Sequence, residues 1–289
     1  MKLLRNIALV SFTLVFFLIS PRTALAATSP SLGSADSFVI LSSTYTNTVA
    51  GTTLNGDLGY TTGPALAPTV NGVTHSVDAT YTAAGIDQNS ALVALNSQPC
   101  TFSFSPGPVD LASNVDFPSN TYTPGVYCIT GAASIGGGGT ITLSGAGTYI
   151  FRMNGALTTS AGSIVVLANG ASACNVWWTP TAATTLGANS TFVGNNIAAA
   201  GITIGSTVTW TGRALAFGGT VSTDVDTISA TSCTSGGSGG ASATSIPGLP
   251  KTDAFVSETN LQFGSAPAVL LLISMLLVIS RNRKFTSNR

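Results

Sequence analysis

Between Thr185 and Ala230, apolar and small polar residues recur with a period of 18. Thr185, Leu186 and Gly187 fall over Thr203, Ile204 and Gly205, and Thr191, Phe192 and Gly194 fall over Thr209, Trp210 and Gly212. Thr191 and Phe192 continue onto Thr227 and Ile228. Within each unit the apolar positions alternate with Thr, Ser or Ala, the period of strands with one buried face. Three short strands with corners use up one such unit, and stacked units pair in parallel about 4.8 Å apart. Parallel pairing needs a long crossover, so an uninterrupted repeat without a helix predicts a parallel β-solenoid and not a hairpin-built sandwich. Glycines at equivalent places mark the corners.

The rest of the chain is less regular. Ala35 to Gly63 reads as strands around the tight turn Leu54-Asn55-Gly56-Asp57. Asp78 caps a helix over 78–98, with Tyr81, Ala84, Gln88, Leu92 and Leu95 at spacings of three and four and Pro99 closing it; Gly85 is out of place there. Residues 100–139 carry Pro106, Pro108, Pro118 and Pro124 and end in Gly136 to Gly139, which suits an irregular crossing loop. Alternation resumes at Thr140, and Val176 to Trp178 read as an apolar run in a longer corner.

Composition adds two end segments. Residues 1–26 carry Lys2 and Arg5, an apolar core from Ile7 to Ile19 and Ala24-Leu25-Ala26, the make-up of a secretory signal peptide. Residues 234–248 are a Gly/Ser-rich linker. In 249–289, Leu249-Pro250-Lys251-Thr252-Asp253 precedes the apolar run Ala266 to Ser280 and the bases Arg281, Arg283 and Lys284. This order resembles an LPxTG sorting signal, with Asp253 where that motif has Gly. An intact membrane helix with a cytoplasmic tail is the simpler expectation. The chain is therefore expected outside the cell, held to its surface.

Charge excludes several functions. Residues 27–250 hold two bases, Arg152 and Arg213, against eight Asp and no Glu. Such a surface cannot neutralise a row of phosphates, so nucleic acid is not an expected partner. Asp224 and Asp226, and Asp110 and Asp116, are read as solvated or turn residues; catalysis on a polysaccharide needs clustered carboxylates with a base or metal nearby, and the lone His75 reads as an exposed loop residue. No enzyme activity, cofactor or metal is expected. The four cysteines allow three pairings in an oxidising space. Cys100 with Cys128 and Cys174 with Cys233 is favoured, because the first bridge brackets the irregular loop and the second ties the last coil to the body.

Phe38-Val39-Ile40-Leu41 with Gly56-Asp57-Leu58-Gly59, then Tyr122-Thr123-Pro124-Gly125-Val126-Tyr127, Gly147-Thr148-Tyr149-Ile150-Phe151-Arg152, Leu186-Gly187-Ala188-Asn189-Ser190 and Gly212-Arg213-Ala214-Leu215-Ala216 resemble the DUF3494 family of ice-binding proteins. The likeness covers 34–233. It implies a mainly β fold: a discontinuous right-handed parallel β-solenoid of triangular section, one α-helix packed alongside, and N-terminal strands joining coils at one end.

With Phe192, Trp210 and Ile228 turned inward, the outward grid is Asn189, Thr191 and Val193; Thr207, Thr209 and Thr211; and Val225, Thr227 and Ser229. Threonine holds a methyl and a hydroxyl at fixed positions, and coil and strand spacings are of the same order as the repeats of an ice lattice. The expected partner is an ice crystal surface. The alternative is an adhesin or envelope component of the same fold, whose hydroxyl face binds a cell-surface glycan.

Overall fold

The computed structural model describes residues 26–231 and Cys233; the signal segment before Ala26, the linker and the anchor segment lie outside them. Twenty strands form one curled sheet in which every strand pair is parallel. Corners divide each turn into three faces.

The chain does not climb the solenoid in order. Its first long strand, Phe38–Asn47, pairs on one side with Thr209–Thr223 and on the other with Asp57–Tyr60. Asp57–Tyr60 in turn carries Thr74–Ser76, so the N-terminal segment builds the upper end. The helix α1 (Ala79–Asn96) then runs back along one face, its 18 residues spanning roughly 27 Å at 1.5 Å each. Below it the chain re-enters at Phe102–Ser103 and winds upward until Thr227–Ser229 pairs with Thr53–Asn55. The helix is thus the return connection that a parallel stack of this order requires.

Residue chemistry explains the elements. Asp78 caps α1 by accepting from the Tyr81 N–H at 2.8 Å. Tyr81, Ala84, Gln88, Ala91 and Leu95 are buried against the solenoid, close to the expected set, with Leu92 only half-buried. Gly85 sits in mid-helix for a spatial reason: a Cβ there would lie 2.3 Å from the Phe217 ring. Gln88 is fully buried and accepts from the Phe217 N–H at 3.1 Å.

Two apolar clusters hold the layers. One fills the solenoid with a rising aromatic column: Tyr127, Phe151, Trp178, Phe192 and Trp210, with successive centroids 5.0, 4.4, 5.3 and 5.1 Å apart. These distances follow the strand spacing, so each coil contributes one ring. Ile228 and Leu54 continue the column upward. The second cluster, including Phe38, Leu41, Ile150, Trp177, Ile197 and Leu215, lies between the sheet and α1. Because this face is covered, its strands are apolar on both sides, as in Val176–Pro180. The run Val176 to Trp178 is therefore a covered strand and not the corner expected from sequence.

The expected irregular loop is also more ordered than its prolines suggest. It holds the short strands Phe102–Ser103, Val109–Asp110 and Thr121–Tyr122 and the full strand Gly125–Ile129. Phe102 packs edge to face on Phe104 and on Phe117, Phe117 stacks on Tyr122, and together they close the lower end. Both favoured disulfides are present, Cys100–Cys128 and Cys174–Cys233.

Candidate functional site

Two faces of the solenoid are free of the helix, and each carries hydroxyl groups in register. On the first, the in-line partners Thr140, Ile164, Thr191, Thr209, Thr227, Thr53 and Thr69 form one outward column. Phe192, Trp210 and Ile228 pair behind it and are at most 1% exposed, as the repeat requires. Thr191, Thr209 and Thr227 are exposed. Beside them runs Val193, Thr211, Ser229 and Asn55. Thr211 and Ser229 are half-buried, and Asn55 donates to the Ser229 hydroxyl at 2.8 Å.

Four members of the expected grid stand differently. Val193 is only 6% exposed and belongs to the interior cluster together with Ala173, because the corner turn Ala173–Asn175 lies against its strand. Asn189 and Thr207 are exposed but are corner residues with left-handed φ of 59° and 61°, and the Thr207 hydroxyl donates to Asn189 Oδ1 at 2.6 Å. Val225, at 56°, completes that corner column. The flat part of this face is therefore Thr191, Thr209, Thr211, Thr227 and Ser229, bordered by a bonded ridge.

The second face was missed by sequence reasoning. Its strands are short, Ala133–Ile135, Leu157–Thr159, Thr184–Leu186 and Ile202–Ile204, and their central residues line up as Ser134, Thr158, Thr185 and Thr203. The column extends through Ser222 to Thr46 above and ends at Asp110 below. Every position between is Ser or Thr. The signal was present in the stacking of Thr185 on Thr203, but three-residue strands show too little alternation to mark a face.

Both free faces lack cations. Arg213 is 1% exposed, paired to Asp36 Oδ1 at 2.7 Å, while Arg152 caps the C-terminal end of α1 through the Asn96 and Gln98 carbonyls. Asp110, at the foot of the second face, is raised by partial burial, but N–H donors from Gly136 and Ala112 and the Ser113 hydroxyl outweigh this and leave it below its ordinary range. Among the described residues no three His, Cys, Asp or Glu side chains meet as a metal site.

Two acidic or basic residues depart from the sequence reading. His75 lies on the strand Thr74–Ser76, not in an open loop; its ring packs on Phe38 with centroids 5.1 Å apart and its Nδ1 meets Asp78 Oδ2 at 2.7 Å. Asp226 is fully buried, not solvated. Its Oδ1 accepts from Val208 N–H at 2.8 Å and its Oδ2 from Asp224 N–H at 2.7 Å, which ties the last two coils at the corner beside Thr209 and Thr227.

Burial pushes the Asp226 carboxyl up to about 6, against the pull of those two N–H donors. The folded state therefore binds a proton between roughly pH 4 and 6 that the unfolded chain has released, and stability falls as pH rises through this window. Asp78 and Asp110 are both lowered, so their contributions are lost only below the window, as pH falls. The melting temperature is expected to be higher at pH 5 than at pH 7, with the difference removed in Asp226→Asn; a wild-type profile that is flat or falls toward pH 5 contradicts this.

The profile of the ice-binding-like family matches residues 39–229, most of the solenoid. The chain belongs to this family. It is 33% identical over 199 residues to an ice-binding protein of Flavobacterium frigoris, strain PS1, covering 64% of this chain and 71% of that one. It is 31% identical over 242 residues to an ice-binding protein of Nostoc sp., strain HG1, covering 79% and 84%. The crystal structure of an ice-binding protein from the Antarctic ascomycete Antarctomyces psychrotrophicus superposes with a TM-score of 0.62 at 31% identity, covering 70% of this chain and 98% of that one. The resemblance read from the sequence thus holds for family and fold. The ice-binding-like family is non-enzymatic.

Proposed function

We propose that this ice-binding-like protein adsorbs to ice through its two uncovered solenoid faces. The observation that carries the reading is the in-register stacking of Thr and Ser on flat, cation-free parallel sheet: Thr191, Thr209 and Thr227 with Thr211 and Ser229 on one face, and Ser134, Thr158, Thr185, Thr203 and Ser222 on the other. The stiff side chains hold methyls and hydroxyls at repeating intervals, and the packed interior fixes the intervals. Water ordered on such an array needs no chemical group beyond those present to merge with a growing crystal.

The likeness to proteins named for binding ice supports this assignment. Export by residues 1–26 and surface anchoring by 249–289 belong to the same proposal and rest on the sequence signals alone. Anchored in this way, the solenoid would hold a cell to ice. The decisive experiment is incorporation of a labelled fragment, residues 27–237, into a slowly growing ice hemisphere. Uptake into the ice is expected; exclusion would overturn the reading and favour the glycan-binding adhesin.

A further inference from the structure

The only two cations among the described residues each lie against a disulfide, and they do so differently. Arg152 Nη2 is 3.0 Å from Cys100 Sγ and 2.9 Å from Cys128 Sγ, while Nη1 serves backbone carbonyls at the end of α1. No carboxylate among the described residues pairs with this guanidinium, so its charge faces the bridge uncompensated. Cys100 is an exposed residue, whereas Cys128 is half-buried. At the other bridge Arg213 Nη1 stands 3.5 Å from Cys233 Sγ, but its charge is paired with Asp36 at 2.7 Å and it is buried. Both cysteines there are half-buried.

We propose that Cys100–Cys128 is a thiol–disulfide exchange site, open to small or protein dithiols, and that Arg152 promotes its opening by stabilising the departing thiolate. One thiolate of the dithiol attacks Cys100 Sγ, the Cys100–Cys128 bond breaks, and Cys128 leaves as a thiolate 2.9 Å from Arg152 Nη2. The second thiol of the reductant, once deprotonated, attacks its own partner sulfur in the mixed disulfide and expels the Cys100 thiolate. The dithiol is oxidised to a disulfide, the protein bridge takes up two electrons, and the two protons pass to solvent. A neighbouring cation lowers thiol pKa, and a leaving thiol of lower pKa departs faster.

The bridge links the segment leaving α1 to the strand Gly125–Ile129. Once it is open, the end of the helix is still held to the body by Arg152, by the reciprocal bonds of Gln98 with Thr28, by Thr179 on Asn96 and by Thr101 on Val126. The segments on either side of the bridge stay paired through Phe102–Ser103 on Tyr127–Cys128, so exchange here leaves both free faces in place.

The test is timed reduction of folded fragment 27–237 by dithiothreitol, quenched with iodoacetamide and read by peptide mass. Cys100 and Cys128 are expected to be alkylated well before Cys174 and Cys233. In R152Q their opening should slow roughly three- to ten-fold, and in R152K it should stay near wild type. In the reduced wild-type protein, Cys128 alkylation should persist to lower pH than that of an ordinary thiol with pKa about 8.5, and R152Q should abolish the difference. Equal opening of the two bridges, or an R152Q bridge that opens as fast as wild type or faster, would show that Arg152 is a structural clamp and would overturn the proposal. Because no ice is involved, either result leaves the ice-adsorption reading unaffected.

Discussion

A tyrosine at Thr209 or Thr203 is expected to remove most thermal hysteresis while the melting temperature moves by no more than about 1–2 °C. Both residues are exposed at the middle of their columns, Thr209 between Thr191 and Thr227 and Thr203 between Thr185 and Ser222. Neither side chain enters the interior, so the stability change stays within the roughly 0.5 kcal/mol typical of surface substitutions. The effect on ice is large because a flat array works as a unit: one protruding ring lifts its neighbours on adjacent coils, about 4.8 Å away, off the crystal plane. Pairing the variants separates the faces. Loss in Thr209→Tyr alone assigns adsorption to the face seen in the 18-residue repeat, loss in Thr203→Tyr alone to the face with short strands, and loss of most activity in both to a molecule that needs the two together. Full activity in both, with folding intact, would remove these faces from the mechanism. Thr211→Tyr, at a half-buried position, should act in the same direction as Thr209→Tyr with a larger stability change.

What could be read from the chain depended on how far each signal reached along it. Phe192, Trp210 and Ile228 were legible as an inward column because their spacing and the period-two alternation around them are local properties of three consecutive coils. The capping Asp78 and the buried side of α1 were legible for the same reason. The place of Phe38–Asn47 was not: its register with Ala214 to Thr223 joins segments far apart in the sequence, and only the family resemblance pointed to it. Val193 looks outward by alternation and is lost to solvent because the corner before it is longer than in the coils above. Asp226 and His75 were misread because their partners come from other coils: Val208 for one, and the Phe38 ring for the other. A solenoid thus shows its periodic part in the sequence and hides what happens at corners and ends, and the boundary ridge of one candidate face is such a corner.

Corners also determine where the stack is least forgiving, and Gly212→Ala is expected to be among the most destabilising single changes in the described residues. Gly194 and Gly212 are in-register partners where two long strands bend from the free threonine face to the helix-covered face, with φ of 108° and 149°. A Cβ on Gly212 would lie 2.0 Å from the Gly194 carbonyl oxygen and 2.9 Å from Trp210 Nε1. Those two atoms are bonded to each other at 2.8 Å, and this bond satisfies the buried indole. An added methyl therefore strains the backbone, separates two coils and breaks the bond that fixes the central aromatic ring. Left-handed strain contributes about 1–2 kcal/mol and overpacking about 1–3 more. For a domain of this size the sum lowers the melting temperature by roughly 5–15 °C. Gly218→Ala is the control: φ there is 92°, but no atom lies within 4 Å of a built Cβ, so only the strain remains. Thermal unfolding of the two variants side by side decides whether contact between coils or backbone conformation dominates; equal shifts would mean that the close approach at Gly212 is relieved at little cost. A larger shift in Gly212→Ala would show that the spacing of the threonine columns is held from behind, by glycine and tryptophan at the corner.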